Sequence, residues 1–201
     1  MPTPMFPLGT VLFPYALLPL HVFEPRYRAM TRHVLQGDQE FGVVLIERGS
    51  EVGGGDVRFE IGTVARVVQA AELPDGRFAL STVGIRRIRV IEWLADDPYP
   101  QAETTTLPDA PSSPDDGMQR ERVAEALRVV ADLTRQLEPR VPEPPALDLD
   151  PARASWEAAA LAPIGPLDAQ RVLESTSAGE RLSLLATMLD ERADELRARL
   201  G

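Results

Sequence analysis

Two patterns of hydrophobic positions divide the chain. Over residues 1–108, apolar residues alternate with polar ones or form short runs that Gly and Pro separate. This spacing predicts seven β-strands, at residues 5–13, 17–23, 41–46, 57–72, 78–83, 85–93 and 102–107. Short strands separated by turn signals favour a small barrel or sandwich.

The apolar run "FPLGTVLFPYALLPLHVF" changes abruptly into a charged, helical segment. The run is too short to span a bilayer, and it lacks the basic start and cleavage site of a signal peptide. Because proline cannot donate to a strand ladder, the prolines divide it into pieces of strand length: Pro7, Pro14 and Pro19. Glu24 is then expected to cap a helix that Pro25 begins and Gly37 ends.

Glycines mark two connections between strands. The segment "LPDGRF" predicts a hairpin turn, because Asp75-Gly76 supplies the positive φ that tight hairpins require. The cluster Gly53-Gly54-Gly55 precedes a strand and lacks the Lys-Ser/Thr of a phosphate loop. It is therefore interpreted as a hairpin loop and not as a phosphate-binding site.

Residues 109–117, within "PDAPSSPDDG", have the composition of a linker. Residues 118–201 then show helical spacing, and new helices are expected after Asp150-Pro151 and Gly165-Pro166. Ser177 and Glu180 are spaced as a capping box for a last helix. The apolar stripe of that helix consists of Leu182, Leu185, Leu189, Ala193 and Leu196. We expect it to pack on the other helices, since a lone helix cannot offset the exposure of so many leucines.

Composition removes several kinds of chemistry. The chain contains no Cys and no Lys, which excludes disulfides, thiol nucleophiles, Ser-Lys dyads and phosphate-loop lysines. His21 and His33 are the two histidines, and neither belongs to a metal-binding motif. The pairs Asp96-Asp97 and Asp115-Asp116 lie beside Pro or Gly, as turn and cap residues do. No catalytic constellation results, and no metal or cofactor is expected.

The formal net charge of −10 lies in the second part of the sequence, because residues 1–95 hold ten arginines and ten carboxylates. Proteins that bind nucleic acid usually carry a basic face, so this balance disfavours a nucleic-acid partner. The segment "GIRRIRVIEW" could form an arginine patch for an anionic partner. Pairing with carboxylates of the barrel, or plain solvation, is the favoured interpretation.

Three ordered blocks carry a family resemblance. "MFPLGTVLFPYALLPLHVFEPRYRAM" resembles the opening of the Lon substrate-binding domain, the amino-terminal domain of ATP-dependent Lon proteases. "FEIGTVARVVQAAELPDGRFALSTVGIRRIRVIEW" resembles its central block, and "LDAQRVLESTSAGERLSLLATMLDERADELRARL" resembles its helical end. The likeness is strong over residues 5–94, fair over 155–200 and weak between them.

The resemblance implies an α+β fold: a PUA-like β-barrel of about six or seven strands with one inserted helix, followed by a C-terminal α-helical bundle. The corresponding domains are residues 1–108, a linker at 109–117 and residues 118–201. In the proteases this domain recognises client polypeptides and does no chemistry. Because the chain carries no ATPase or protease motif, it is expected to be a stand-alone, non-enzymatic member of the family. A cytoplasmic location is expected because the sequence shows no targeting or membrane segment.

The leading functional hypothesis is therefore the binding of a polypeptide or protein client, with no membrane partner. The alternatives are an RNA-binding PUA-like protein, and a small-molecule binder or unrecognised enzyme. Four aromatic residues are surface candidates, although core packing is the alternative for each: Phe13, Tyr15, Phe23 and Tyr27. A groove between barrel and bundle is the expected site. Its candidate binding residues are His21, Phe23, Glu24, Tyr27 and Arg87.

Overall fold

The computed structural model describes residues 2–48 and 57–201. The chain forms two compact units, Met1–Pro108 and Asp109–Gly201. The first contains the strands and one helix, and the second is helical, which confirms the mixed α+β fold. The Gly53-Gly54-Gly55 loop lies outside the described residues. Within the described ranges, no helix is both long and apolar enough to cross a membrane.

Six strands build the first unit: β1 (Thr3–Leu8), β2 (Leu17–Val22), β3 (Glu40–Arg48), β4 (Val57–Glu72), β5 (Phe78–Trp93) and β6 (Gln101–Thr106). Their order in the sheet is β2-β5-β4-β3-β1-β6, and β6 also pairs with β5. The second pairing closes the sheet on itself as a barrel. The long strand β5 makes this possible, because its first half pairs with β2 and its second half with β6.

The structure has one strand fewer than the seven individual segments predicted, because residues 78–83 and 85–93 form one continuous strand. Gly84 looks like a break in the sequence, but its N–H donates to the Ala16 carbonyl and keeps the strand in the sheet. The first strand also ends at Leu8 and not at Phe13. Beyond it, the carbonyl of Leu12 accepts a bond from the Thr63 hydroxyl at 2.5 Å, so the chain there packs without pairing.

The hairpin between β4 and β5 is as predicted. Gly76 has a φ of 78°, and its N–H donates to the carbonyl of Leu73. The Asp75 carboxylate accepts from the N–H of Arg77, which fixes the turn further.

Helix α1 (Pro25–Gln36) follows β2 directly and ends at Gly37, as predicted. Its apolar side packs into the core of the barrel through Tyr27, Met30 and Val34. Glu24 occupies the N-cap position but makes no capping bond. Its carboxylate instead accepts from Nε of Arg26 at 3.1 Å, and glutamate is not among the residues that the N-cap position prefers.

Four helices form the second unit: α2 (Asp116–Leu137), α3 (Pro151–Leu161), α4 (Pro166–Glu174) and α5 (Ala178–Leu200). Helix α5 packs against the other three. Its predicted stripe is buried throughout, which confirms that the last helix packs within the bundle: Leu182, Leu185, Leu189, Ala193 and Leu196. The Ser177 hydroxyl caps α5 by accepting from the N–H of Glu180. The Glu180 carboxylate returns the bond to the N–H of Thr176, one residue earlier than a capping box requires.

Candidate binding site

A cleft of about 170 Å³ opens between β1, β2 and the first turn of α1. Strand β1 contributes Phe6 and Leu8 to its lining, and α1 contributes Tyr27. Residues 19–24 complete the wall. The cleft therefore lies where the chain leaves β2 and enters the helix.

Two prolines reduce the hydrogen-bonding capacity of β1 and β2 beside the cleft. The N–H of Met5 donates to Pro100 at 2.8 Å, which is the side of β1 that faces away from β3. Because backbone groups alternate in direction along a strand, the backbone nitrogen of residue 7 faces the same way as that of Met5. Pro7 has no N–H to donate there. Pro19 faces outward from β2 in the same manner. Proline at these positions leaves pairing to the inner neighbours intact and weakens pairing across the gap.

Four of the five predicted site residues line this cleft together: His21, Phe23, Glu24 and Tyr27. Arg87 does not line it. Its side chain is buried in β5, where the guanidinium donates to the carbonyl of Pro108 at 3.4 Å.

The charges beside the cleft compensate one another. Arg26 pairs with Glu24 at 3.1 Å, and its guanidinium lies 4.5 Å from the centre of the Tyr27 ring. Tyr27 in turn stacks on Phe6, with ring centroids 4.1 Å apart. Because Glu24 and Arg26 neutralise each other, the cleft presents mainly an aromatic and apolar wall to a ligand.

Strand β2 separates this cleft from a second, more open depression of about 400 Å³. Pro19, Leu20 and His21 line both. The other wall of the depression is formed by residues of β4 and β5 such as Ala71, Ala79 and Leu80. Strand β2 thus forms a ridge between two apolar hollows, one on the side of β1 and one on the side of β5.

Large apolar side chains are exposed along the same ridge. Leu17 is 74% exposed, Phe23 is 54% exposed and Tyr15 is 52% exposed. Of the four aromatic surface candidates, Phe13 and Tyr27 are buried in the core and the other two are exposed. Sequence reasoning missed Leu17, although its alternation with Pro19 and His21 placed all three on one side of the strand. We call Tyr15, Leu17, Pro19, His21 and Phe23, together with the cleft, the β2 surface.

The arginines of β5 are not gathered into one exposed patch. Arg86 pairs with Glu40 at 2.7 Å, as the favoured interpretation predicts, while Arg87 is buried. Across residues 2–48 and 57–201, no three His, Asp or Glu side chains are grouped so as to hold a metal ion. What the arrangement offers is noncovalent contact with an apolar ligand.

A larger groove of about 510 Å³ lies in the helical unit, between α2 and residues 143–147. Its rim is charged, and two local ion pairs lie along it, Arg120 with Glu121 and Arg128 with Glu125. We favour the smaller β2 cleft as the binding site, because exposed apolar side chains and an open strand edge converge there.

This chain is similar to Lon proteases and to their N-terminal domains. The sequence model described as the ATP-dependent protease La (LON) substrate-binding domain matches residues 2–191. Lon protease 2 of Herpetosiphon aurantiacus is 30% identical over 199 residues, and Lon protease 2 of Myxococcus xanthus is 29% identical over 206. Each alignment covers 96% of this chain but 24% of the relative, so the chain spans about a quarter of the length of these proteases.

Solved structures give the same result for the fold. The Lon N-terminal domain protein from Xanthomonas campestris matches with a TM-score of 0.66 and 27% identity, covering 93% of this chain and 98% of that one. The N-terminal domain of Mycobacterium avium complex Lon protease matches with a TM-score of 0.67 at 17% identity, covering 95% and 99%. The ordered blocks of sequence, the closed sheet with its helical unit and the match over residues 2–191 agree, and the chain belongs to the Lon substrate-binding domain family.

Proposed function

We propose that this chain is a non-enzymatic polypeptide-binding module, which holds extended apolar segments of client proteins on its β2 surface. The observation that carries the proposal is the exposure of Phe23, which lines the cleft, and of Leu17, which begins the strand β2 beside it. Apolar side chains grouped on a surface commonly mark a site of protein interaction. The family description supports the same ligand class, because it names a substrate-binding domain of a protease.

The size of the β2 surface suits weak, tolerant binding. Full burial of a Leu or Phe side chain contributes about 1.5–3 kcal/mol, and these side chains are already partly covered. Part of that gain is offset by the freedom that a peptide loses on binding. We therefore expect dissociation constants of about 10 µM to 1 mM, which correspond to roughly 4–7 kcal/mol.

Charge favours polypeptide over nucleic acid as the partner. The chain has a net charge of −10 and no lysine. In the described part of the barrel, arginines such as Arg66 and Arg86 are paired with carboxylates. A phosphate backbone would meet few arginines that are available to it, and its counterion release would be small.

The experiment is a peptide array of overlapping segments of unfolded β-casein, followed by fluorescence anisotropy of the tightest-binding segment with the purified chain. Replacing Leu17 or Phe23 by Ser is expected to weaken binding about three- to tenfold, since each removes a large part of one apolar contact. Leu167→Ser is the matched control, because Leu167 is 63% exposed but lies on α4. A single-stranded RNA of similar length provides the comparison for the alternative partner.

Each outcome decides between the hypotheses. Specific weakening by the two β2-surface variants, with the control unchanged, supports the proposal. Binding that all three variants leave unchanged places the site elsewhere, and the charged groove beside α2 is then the next to test. Failure to bind any casein segment, or tight RNA binding that weakens steeply with salt, contradicts the proposal.

A further inference from the structure

The backbone of β2 has one paired side and one open side. Gly84 N–H donates to the Ala16 carbonyl at 3.0 Å, and the Thr82 hydroxyl donates to the Leu18 carbonyl at 2.8 Å. The register continues this parity, with Leu20 opposite Leu80 and Val22 opposite Phe78. The even-numbered residues of β2 therefore direct their backbone groups toward β5.

The odd-numbered residues direct theirs the other way. Leu17, Pro19 and His21 present their carbonyls on the outer side, and Leu17 and His21 also present N–H groups. Among the strands that the structure describes, none pairs with this side of β2. All three residues are exposed to solvent.

We propose that the client polypeptide binds as an added β-strand along the outer edge of β2. The inference rests on the proposed function and specifies how the same surface recognises its ligand. Backbone hydrogen bonds to residues 17, 19 and 21 hold the client in register. Its side chains then alternate between the two faces of the sheet, and those on the face toward the cleft enter it.

Backbone recognition fits a binder of unfolded segments, because every extended peptide carries the same N–H and C=O groups whatever its side chains. The apolar cleft adds a preference for apolar residues at alternating positions without requiring a particular sequence. The edge thus accounts for affinity, and the cleft accounts for selection.

Pro19 sets a limit on this pairing. It accepts through its carbonyl but cannot donate, so the edge offers three acceptors and two donors. Proline on an edge strand is a known means of discouraging uncontrolled edge-to-edge association. Here Pro19 allows a short strand to bind. A long, continuous ladder with another sheet is less stable, because Pro19 leaves a missing donor in the middle of it.

The test uses the tightest-binding β-casein segment from the array, resynthesised with a single N-methyl group at each position in turn. An N-methyl group removes one donor. Strand addition predicts an alternating pattern over the bound stretch, in which every second position loses about three- to tenfold in affinity and the intervening positions lose little. A uniform effect, or an effect that follows only the side chains, overturns strand addition while leaving the proposed function intact.

The protein side is tested by comparing His21→Pro with His21→Ala. Both remove the imidazole, but only His21→Pro removes the outward N–H, and neither change affects pairing with β5. His21→Pro is expected to bind about three- to tenfold more weakly than His21→Ala, with unchanged melting temperature. Equal affinities contradict the proposal.

Two further results would also be decisive. If no casein segment binds, the proposed function and strand addition fail together. If the free chain sediments as a dimer that His21→Pro converts to a monomer, a second copy occupies the edge, and the client does not bind there as an added strand.

Discussion

At the scale of single residues, Tyr15 stands out by its backbone. It has a φ of 65°, in the left-handed region, at the third position of a turn that the Ala16 N–H closes on the Phe13 carbonyl. With Pro14 before it, this is the position of a type II turn that glycine prefers. A large residue there costs about 1–2 kcal/mol, and yet the side chain is 52% exposed. An exposed aromatic ring at a position that strains the backbone is consistent with selection for binding.

We predict that Tyr15→Gly separates stability from binding. Glycine relieves the left-handed strain but increases the freedom of the unfolded chain, so the free energy of unfolding should stay within about 1 kcal/mol of the original or rise. Affinity for the casein peptide should fall about three- to tenfold with the loss of the ring. Denaturant unfolding and anisotropy measure the two quantities. A marked loss of stability with unchanged affinity would assign Tyr15 a purely structural role.

Glu40 provides a pH-dependent contribution to the barrel. Its carboxylate on β3 accepts from Arg66 on β4 at 2.6 Å and pairs with Arg86 on β5 at 2.7 Å. Burial alone would raise the pKa of this carboxyl, but the bonds from the two arginines outweigh it and hold the pKa below 4.5. The stabilisation is therefore present above the unfolded-state pKa and is lost as the pH falls through the folded-state pKa.

The Glu40→Gln variant should accordingly be less stable at pH 7 by about 0.5–1 kcal/mol, a figure kept small because both arginines are half exposed. The difference should shrink as the pH is lowered below 4.5. Urea titrations of both proteins at several pH values provide the measurement. A difference that stays constant with pH would show that Glu40 stabilises by packing and not by charge.

At the scale of elements, one buried arginine joins three parts of the helical unit. Arg181 on α5 is fully buried, and its Nε donates to the Ser155 hydroxyl of α3 at 3.0 Å. Its guanidinium lies 3.5 Å from the centre of the Trp156 ring and forms a two-pronged ion pair with Asp109, which precedes α2. The N–H of Ala110 adds a bond to the Thr176 carbonyl at 2.8 Å. Residues before the first helix of the bundle are thus held by Arg181 of its last helix and by Thr176, which comes just before that helix.

Removing the carboxylate should therefore be costly. Asp109→Ala leaves the Arg181 guanidinium buried without its counter-charge, and we expect a loss of about 3 kcal/mol in the free energy of unfolding. The control is Asp132→Ala, which breaks the exposed pair with Arg135 within α2 and should change stability by less than about 0.5 kcal/mol. Equal losses in the two variants would mean that burial of Arg181 does not make its pair important.

At the scale of the whole molecule, local signals predicted the features that depend on neighbouring residues. Pro25 and Gly37 marked the ends of α1, Asp75-Gly76 marked the hairpin, and the leucine spacing of α5 identified its buried side. The sequence also indicated four side chains that the structure brings to one cleft.

Features that depend on distant partners could not be predicted. Gly84 resembled the end of a strand, but a Cβ there would lie 2.2 Å from the carbonyl oxygen of Phe13, so the glycine allows a close approach of two segments. Arg87 was expected to line the site, but it is buried, and its guanidinium donates to the carbonyl of Pro108, which lies 21 residues later in the chain. The unpaired edge of β2, where Leu17 lies, follows from the order of the strands, and that order depends on residues far apart in the sequence.

The measurement that tests the central claim most directly is amide hydrogen exchange of the chain with and without the tightest-binding casein peptide. Our account predicts slower exchange over residues 15–27, with the amides of Leu17 and His21 protected most. It predicts no change over residues 120–147, which include the groove formed by α2 and residues 143–147. Protection confined to the α2 groove, or peptide binding without any protection of residues 15–27, would contradict it.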